Sequence, residues 1–399
     1  MVTEHDLPKL ELIVRDFFEI ENITFGGPKQ PFIVRYQSVP KSNPGDSFDA
    51  LLSAIAPQEL TAVMRKENDD IILFLMPERK RKKSFNPSLN LIMFILTLLS
   101  VLLTGGLYGY QGVLPEGILP TIMELVRSGW PFAISLLAIL GAHEFGHYFA
   151  GRKHKVDVTL PFFIPFPLSL LGTMGAFINM RSVPRNKRAL FDLAVTGPLS
   201  GAIVSMVVLI IGLLLSEVST LPTDPLTDAA LQMEGNSILY LLSKLVIFGE
   251  VLPKPSGVEG FSLAAFWLRY FFTGEPFPWG ALDVMLHPVA WAGWAGFLVT
   301  GINLIPAGQL DGGHIFFAMF GKTAAAKALP IIVGSLVTMG FFWNGWWLWA
   351  GMIFFLGRRS AETLDQVTKL DARRRFIGYA ALVLFILTFI PVPITIASF

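Results

Sequence analysis

Polar and apolar positions divide the chain into two regimes. Up to about residue 80 they alternate at short periods. Phe48, Leu51, Leu52 and Ile55 recur at helical spacing after Asp46, which predicts a helix capped by that aspartate. The segments 31–36, 61–65 and 71–75 have strand character, and Asn68-Asp69-Asp70 predicts a hairpin turn between the last two. From Leu91 onward long apolar runs take over. Segments 91–108, 131–151, 190–215, 288–304, 329–342, 346–356 and 377–390 each predict a bilayer span, with 109–129 as an outer loop. The runs 239–252 and 261–272 are short and interrupted by Lys244 and Arg269, which predicts either thin spans or interfacial helices. Between Val156 and Met180 the chain is apolar but carries Pro161, Pro165 and Pro167, then Gly172 and Gly175 in a turn; a helix is excluded there and a re-entrant, β-like loop is expected.

The expected fold class is therefore an all-α polytopic membrane protein of about seven transmembrane helices with a re-entrant β-like loop, preceded by a small soluble α+β domain. The boundary is placed at 83/84, giving domains 1–83 and 84–399. Composition agrees: 53% hydrophobic and 15% charged residues, with a mean hydropathy of +0.57, exclude an ordinary soluble globular protein. A net charge of +1 and the lack of a basic run interleaved with aromatics argue against a nucleic-acid partner. With no cysteine, any metal must be held by nitrogen and oxygen. Met1 to Lys9 lacks the apolar core of a signal peptide. Positive residues stay on the cytoplasmic side, so the cluster Arg79 to Lys83 and the residues Arg152, Lys153 and Lys155 place 1–83, 152–189 and 358–375 in the cytoplasm. Trp343, Trp346, Trp347 and Trp349 are expected at an interface, and Gly197-Pro198 and Gly201 as notches for helix packing.

Within the second run stands His143-Glu144-Phe145-Gly146-His147. On a helix, residues four apart share a face, so His143 and His147 can hold one metal ion while Glu144 sits beside it, as in zinc hydrolases. Buried histidines satisfied by neighbours are the alternative, but ionisable groups are rare in hydrocarbon and usually functional there. Asp311, in Leu310-Asp311-Gly312-Gly313-His314, sits in a second costly place: an aspartate at a span centre costs about 2.5–3.5 kcal/mol, which metal coordination would offset. It is either a third ligand or a helix N-cap. His314, one turn later, either orients Asp311 or caps the helix.

HExxH in one span, with Asn303-x-x-Pro306 and Leu310-Asp311-Gly312 in a later one, resembles the site-2 proteases, intramembrane zinc metalloproteases. The wording Gly172-Thr173-Met174-Gly175-Ala176, Phe191-Asp192, Gly197-Pro198 and 303–313 is most similar to the branch of cyanobacteria and plastids. The likeness runs from about Leu91 to Phe320. It implies His143, His147 and Asp311 as ligands of one Zn2+, Glu144 as catalytic base, and Asn303 lining the site. Gly172, Gly175 and His314 are placed with Asn303 as substrate-contacting or supporting residues. The implied reaction is metal-assisted hydrolysis of a partly unwound transmembrane segment, in a bacterial plasma membrane or a plastid thylakoid. The implied partners are a transmembrane protein substrate and the lipid bilayer. A metal-ion transporter or an inactive relative acting as a binding partner are the alternatives; the first would need polar groups spread across the membrane, and Glu144 argues against the second.

Overall fold

The computed structural model describes residues 7–27, 30–78, 87–110, 112–223, 231–258, 260–357 and 362–397. The basic cluster at 79–83 and the proposed domain boundary lie outside these.

The amino-terminal elements are α1 (Leu7–Phe17), β1 (Phe18–Phe25), β2 (Val34–Pro40), α2 (Pro44–Ile55), β3 (Leu60–Glu67) and β4 (Asp70–Pro77). The strands form one antiparallel sheet in the order β1-β2-β4-β3, with Glu67 opposite Asp70 across the turn at Asn68-Asp69. Both helices close its apolar face, burying Val14, Phe18, Tyr36, Phe48, Leu51 and Leu73 in a core of their own. Two details differ from expectation. Asn43, not Asp46, caps α2, because its Oδ1 accepts the Gly45 N–H while Pro44 supplies the fixed first helical φ. Leu10, Val14 and Phe18 make α1 and the start of β1 part of the core, although their apolar stripe is thin among charged neighbours.

The remaining elements are α3 (Pro87–Gly109), α4 (Ile118–Lys153), β5 (Phe162–Pro165), β6 (Thr173–Phe177), α5 (Lys187–Leu214), β7 (Glu217–Thr220), β8 (Leu231–Glu234), α6 (Ile238–Phe248), α7 (Phe261–Thr273), β9 (Leu282–Met285), α8 (Pro288–Asn303), α9 (Asp311–Met339), α10 (Gly345–Leu356), α11 (Ala372–Thr388) and β10 (Ile394–Ala397). Among the described residues four helices, α3, α4, α5 and α9, are long and apolar enough to cross a membrane. Helix α8, of 16 residues, lies at the centre, with Trp294, Ala295 and Phe297 fully buried.

Two expectations are corrected here, on 118–129 and on Trp346. The stretch 118–129 is helical, not loop: it packs on α3 so closely that a Cβ on Gly106 would stand 2.2 Å from the Leu125 carbonyl and one on Gly129 2.0 Å from that of Leu102. This backbone contact extends α4 past Pro131. Toward Gly141 the same two helices part around an apolar cleft of about 610 Å³ lined by Asn90, Phe94, Ile134 and Phe163. The run 329–342 is helical to Met339 and stands apart from the helix that begins at Asp311: the two follow one another in α9 across a non-helical kink at Gly321 (φ 85°). Trp346 is a core residue; its indole is fully buried and donates to the Pro391 carbonyl at 2.6 Å.

Two ribbons, β7 with β9 and β8 with β10, cover the end of α8 opposite Asn303. Beneath them lies a buried polar cluster. Tyr240 Oη donates to Glu234 at 2.8 Å, and Lys244 Nζ lies 3.8 Å from Asp283 and 4.4 Å from the Tyr240 ring centre. Burial, aided by the Asp283 charge, pushes the Glu234 carboxyl up to about 7, and burial also raises Asp283.

Candidate metal centre

Helix α4 carries His143 and His147 on the face it turns toward α5, and both are buried. Their Nε2 atoms approach to 3.1 Å. The carboxylate of Asp311, first residue of α9, completes a triangle, its Oδ2 lying 3.2 Å from His143 Nε2 and 3.3 Å from His147 Nε2. Tetrahedral zinc with N and O bonds of about 2.0–2.1 Å separates neighbouring ligand atoms by roughly 3.3–3.4 Å, so the donor set and its spacing fit such an ion. Among the described residues no other group of three or more His, Asp or Glu side chains is placed to hold a metal.

The partners around the triangle fix its geometry. The Leu193 carbonyl can only accept, so His147 Nδ1 carries a hydrogen and donates it at 2.7 Å, and in the neutral ring Nε2 then presents its lone pair toward Asp311. Helix α5 comes close enough for this because it has no side chain at the contact: a Cβ on Gly197 would lie 2.1 Å from His147 Nε2, and one on Gly201 3.1 Å from His143 Nδ1. Thr196 Oγ1 and Ser200 Oγ donate to the Gly146 and Ala142 carbonyls at 3.0 and 2.7 Å, locking α5 to the motif. On the other side, Gly312 and Gly313 let the first turn of α9 fold against residues 304–308, which aims Asp311 at the histidines. The N-cap position is Leu310, which makes no side-chain cap bond, so neither Asp311 nor His314 caps α9.

Glu144 is buried beside the triangle, and its Oε2 has no hydrogen-bond partner among the described residues. It faces a cavity of about 200 Å³ bounded by Ala176, Ile178, Asn303, Gln309 and His314. Asn303 Nδ2 lies 3.5 Å from His143 Nε2. His314 borders the cavity with a buried Nδ1 that has no partner among the described residues. Gly172 and Gly175 stand outside the cavity lining. Gly172 (φ 71°) packs its backbone on α3, where Ser100 Oγ donates to its carbonyl at 2.6 Å, and Gly175 (φ 97°) is the middle residue of β6. Leu193, Gly197 and Gly201 are the site-forming residues whose part was not expected. Gly197 and Gly201 read as packing notches, and what fills the notches proves to be imidazole.

The description Peptidase family M50 matches residues 131–342, more than half of the 399. The chain belongs to peptidase family M50. Probable zinc metalloprotease EGY2, chloroplastic, of Oryza sativa subsp. indica is 30% identical over 287 residues, covering 70% of this chain and 46% of that protein. Probable zinc metalloprotease EGY1, chloroplastic, of Arabidopsis thaliana is 28% identical over 287 residues, with the same coverage of 70% and 46%. Probable zinc metallopeptidase EGY3, chloroplastic, of Arabidopsis thaliana is 28% identical over 282 residues, covering 68% and 44%. The M50 chain thus spans less than half the length of these curated relatives. No solved structure matches it at comparable significance. These likenesses agree with the site-2 protease resemblance and with its plastid branch.

Proposed function

We infer that this M50 chain is an intramembrane zinc metalloprotease that hydrolyses peptide bonds within or near transmembrane segments of membrane proteins. The observation that carries this is the triangle of two imidazole nitrogens and one carboxylate oxygen, with the buried, free oxygen of Glu144 beside it. His143, His147 and Asp311 would hold one zinc ion; three protein ligands leave a fourth position open, the arrangement of catalytic rather than structural sites. When bound, zinc supplies Lewis-acid polarisation of a carbonyl and lowers the pKa of water toward about 7.

The protein's own groups supply the rest. Glu144 takes the water proton and returns it to the leaving amine, a role suited to a carboxylate with one oxygen free. Asn303, reaching toward His143 from the end of α8, is placed to donate to the substrate carbonyl oxygen. Strand β6 pairs with β5, and its last residues Ala176 and Phe177, with Ile178 after them, border the cavity. A substrate segment added there would be held extended, with its peptide bond free of helical hydrogen bonds. In this reading the hairpin β5–β6 is the re-entrant element, α8, α10 and α11 join the four long helices as spans, and the cavity opens toward the cytoplasm, where residues 7–77 also lie. The membrane is plastid or thylakoid-like, or a bacterial plasma membrane.

Glu144→Gln keeps shape and hydrogen bonding but cannot accept the proton. It should retain about one zinc per chain while cleavage of a transmembrane substrate falls by roughly 10²–10⁴. Full cleavage by this variant, with zinc bound, would remove Glu144 from the chemistry.

A further inference from the structure

The amino-terminal sheet does not end at β3. Residues 364–366 continue it: Met64 N–H donates to the Leu364 carbonyl at 2.8 Å, and Gln366 N–H to the Met64 carbonyl at 3.0 Å. Asp365 forms parallel bridges to Met64 on one side and Asn186 on the other. Beyond it, Leu364 N–H and Asp365 N–H donate to the Pro184 and Arg185 carbonyls at 3.1 and 2.8 Å. Side chains reinforce this seam. Leu364 and Val367 pack on the core of the amino-terminal domain, and Asp365, 1% exposed, accepts the Val367 and Thr368 N–H groups at 2.7 and 2.9 Å. Arg185 pairs with Asp49 of α2 and donates from Nη2 to its carbonyl at 2.9 Å.

The rung at 184–186 holds both flanks of the metal centre. Going backward, the chain runs through Met180, bridged to Val158, to Ile178 and β6, which border Glu144. Going forward, Asn186 caps α5, its Oδ1 accepting the Ala189 N–H at 2.9 Å, and α5 holds His147 through Leu193. We propose that the amino-terminal domain is a positioning element for the substrate-facing segment 176–186, acting through the strand at 364–366. This deepens the protease reading and rests on it. The domain touches no reacting atom; its docking pre-orders the edge to which substrate would add.

The test uses the full chain in detergent with Leu364→Asp combined with Val367→Asp. Leu364 and Val367 are half-buried against the domain core, and two carboxylates in their place replace that apolar contact with groups that favour water, so the domain should leave the seam while its own core around Phe18, Phe48 and Leu73 remains intact. Hydrogen exchange should rise at Met64 and across 178–190, and zinc content should not change. KM for a transmembrane substrate should rise about tenfold with kcat within about twofold, equivalent to the roughly 1.4 kcal/mol of re-ordering one residue of backbone. Continued protection of Met64 would overturn the seam itself. Exposure of Met64 with wild-type exchange across 178–190, or with unchanged KM, would reduce the domain to an appendage. If wild type cleaves nothing, the protease reading fails, yet the exchange measurement still decides the coupling.

Discussion

Gly197→Ala is the sharpest perturbation the metal centre offers, because helix propensity and site geometry oppose each other. In an interior helix turn alanine is favoured over glycine by about 0.8–1.0 kcal/mol, so α5 itself should gain stability. The added Cβ, however, would lie 2.1, 2.3 and 2.5 Å from Nε2, Cε1 and Cδ2 of His147. An ordinary contact is at least about 3.4 Å, so the ring must retreat by roughly 1.3 Å, well beyond the ±0.2 Å that metal–ligand distances tolerate. Helix α5 cannot yield instead, held as it is to the motif by Thr196 and Ser200. Loss of one of three ligands should exceed the 10–100-fold affinity loss typical of changes one shell further out. The assay is zinc content and chelator competition on purified protein, with thermal unfolding of the metal-free form alongside. Gly201→Ala is the internal control: its Cβ would stand 3.1 Å from His143 Nδ1, a few tenths too close, and should cost no more than about tenfold. Wild-type zinc affinity in Gly197→Ala, or a larger loss in Gly201→Ala, would refute the reasoning.

Asp311→Ala should lose zinc itself, since two histidines are too few ligands for a stable site; zinc content equal to wild type would make His314 the next candidate. Proline at Ala176 removes a strand N–H beside the cavity and should lower cleavage by an order of magnitude or more with zinc retained, whereas unchanged cleavage would reduce β6 to a plug. The buried cluster of Glu234 with Asp283, Lys244, Tyr240 and Tyr270 predicts a pH effect. The folded state holds a proton on Glu234 that the unfolded chain releases between 4.5 and about 7. Stability should therefore fall as pH rises through that window, by at most about 1.4 kcal/mol per pH unit, and Glu234→Gln should flatten the unfolding midpoint across it.

What could be read from the chain was local. The i, i+4 spacing of His143 and His147 is a property of one helix, and Asp311 between Leu310 and Gly312 is costly wherever it lies. The β3–β4 hairpin was legible for the same reason, its turn and alternation lying within eighteen residues, 60–77. The carbonyl of Leu193 and the bare backbone of Gly197 acquire meaning only when α5 lies on α4, and glycine in an apolar run looks the same whether a methyl group or an imidazole fills the gap. Trp346 was misplaced because an indole suits an interface and a core alike until its N–H finds a partner, here Pro391. The strand at 364–366 has no run of its own; one residue of bridge leaves no periodicity.

The pairing of α3 with α4 has a mechanical consequence. The two are pressed backbone to backbone at Gly105, Gly106 and Gly129, and stand apart near Gly141, two residues before His143. From Gly129 to Gly141 is about 18 Å of helix, enough to make the pair a lever with its pivot in the buried core that Phe132 and Val101 share. A methyl group forced into the tight end would tilt the helices about that pivot and narrow the far cleft. The histidines would be displaced by a substitution at Gly129, about four turns away from His143, one that touches neither the metal nor anything bound to it.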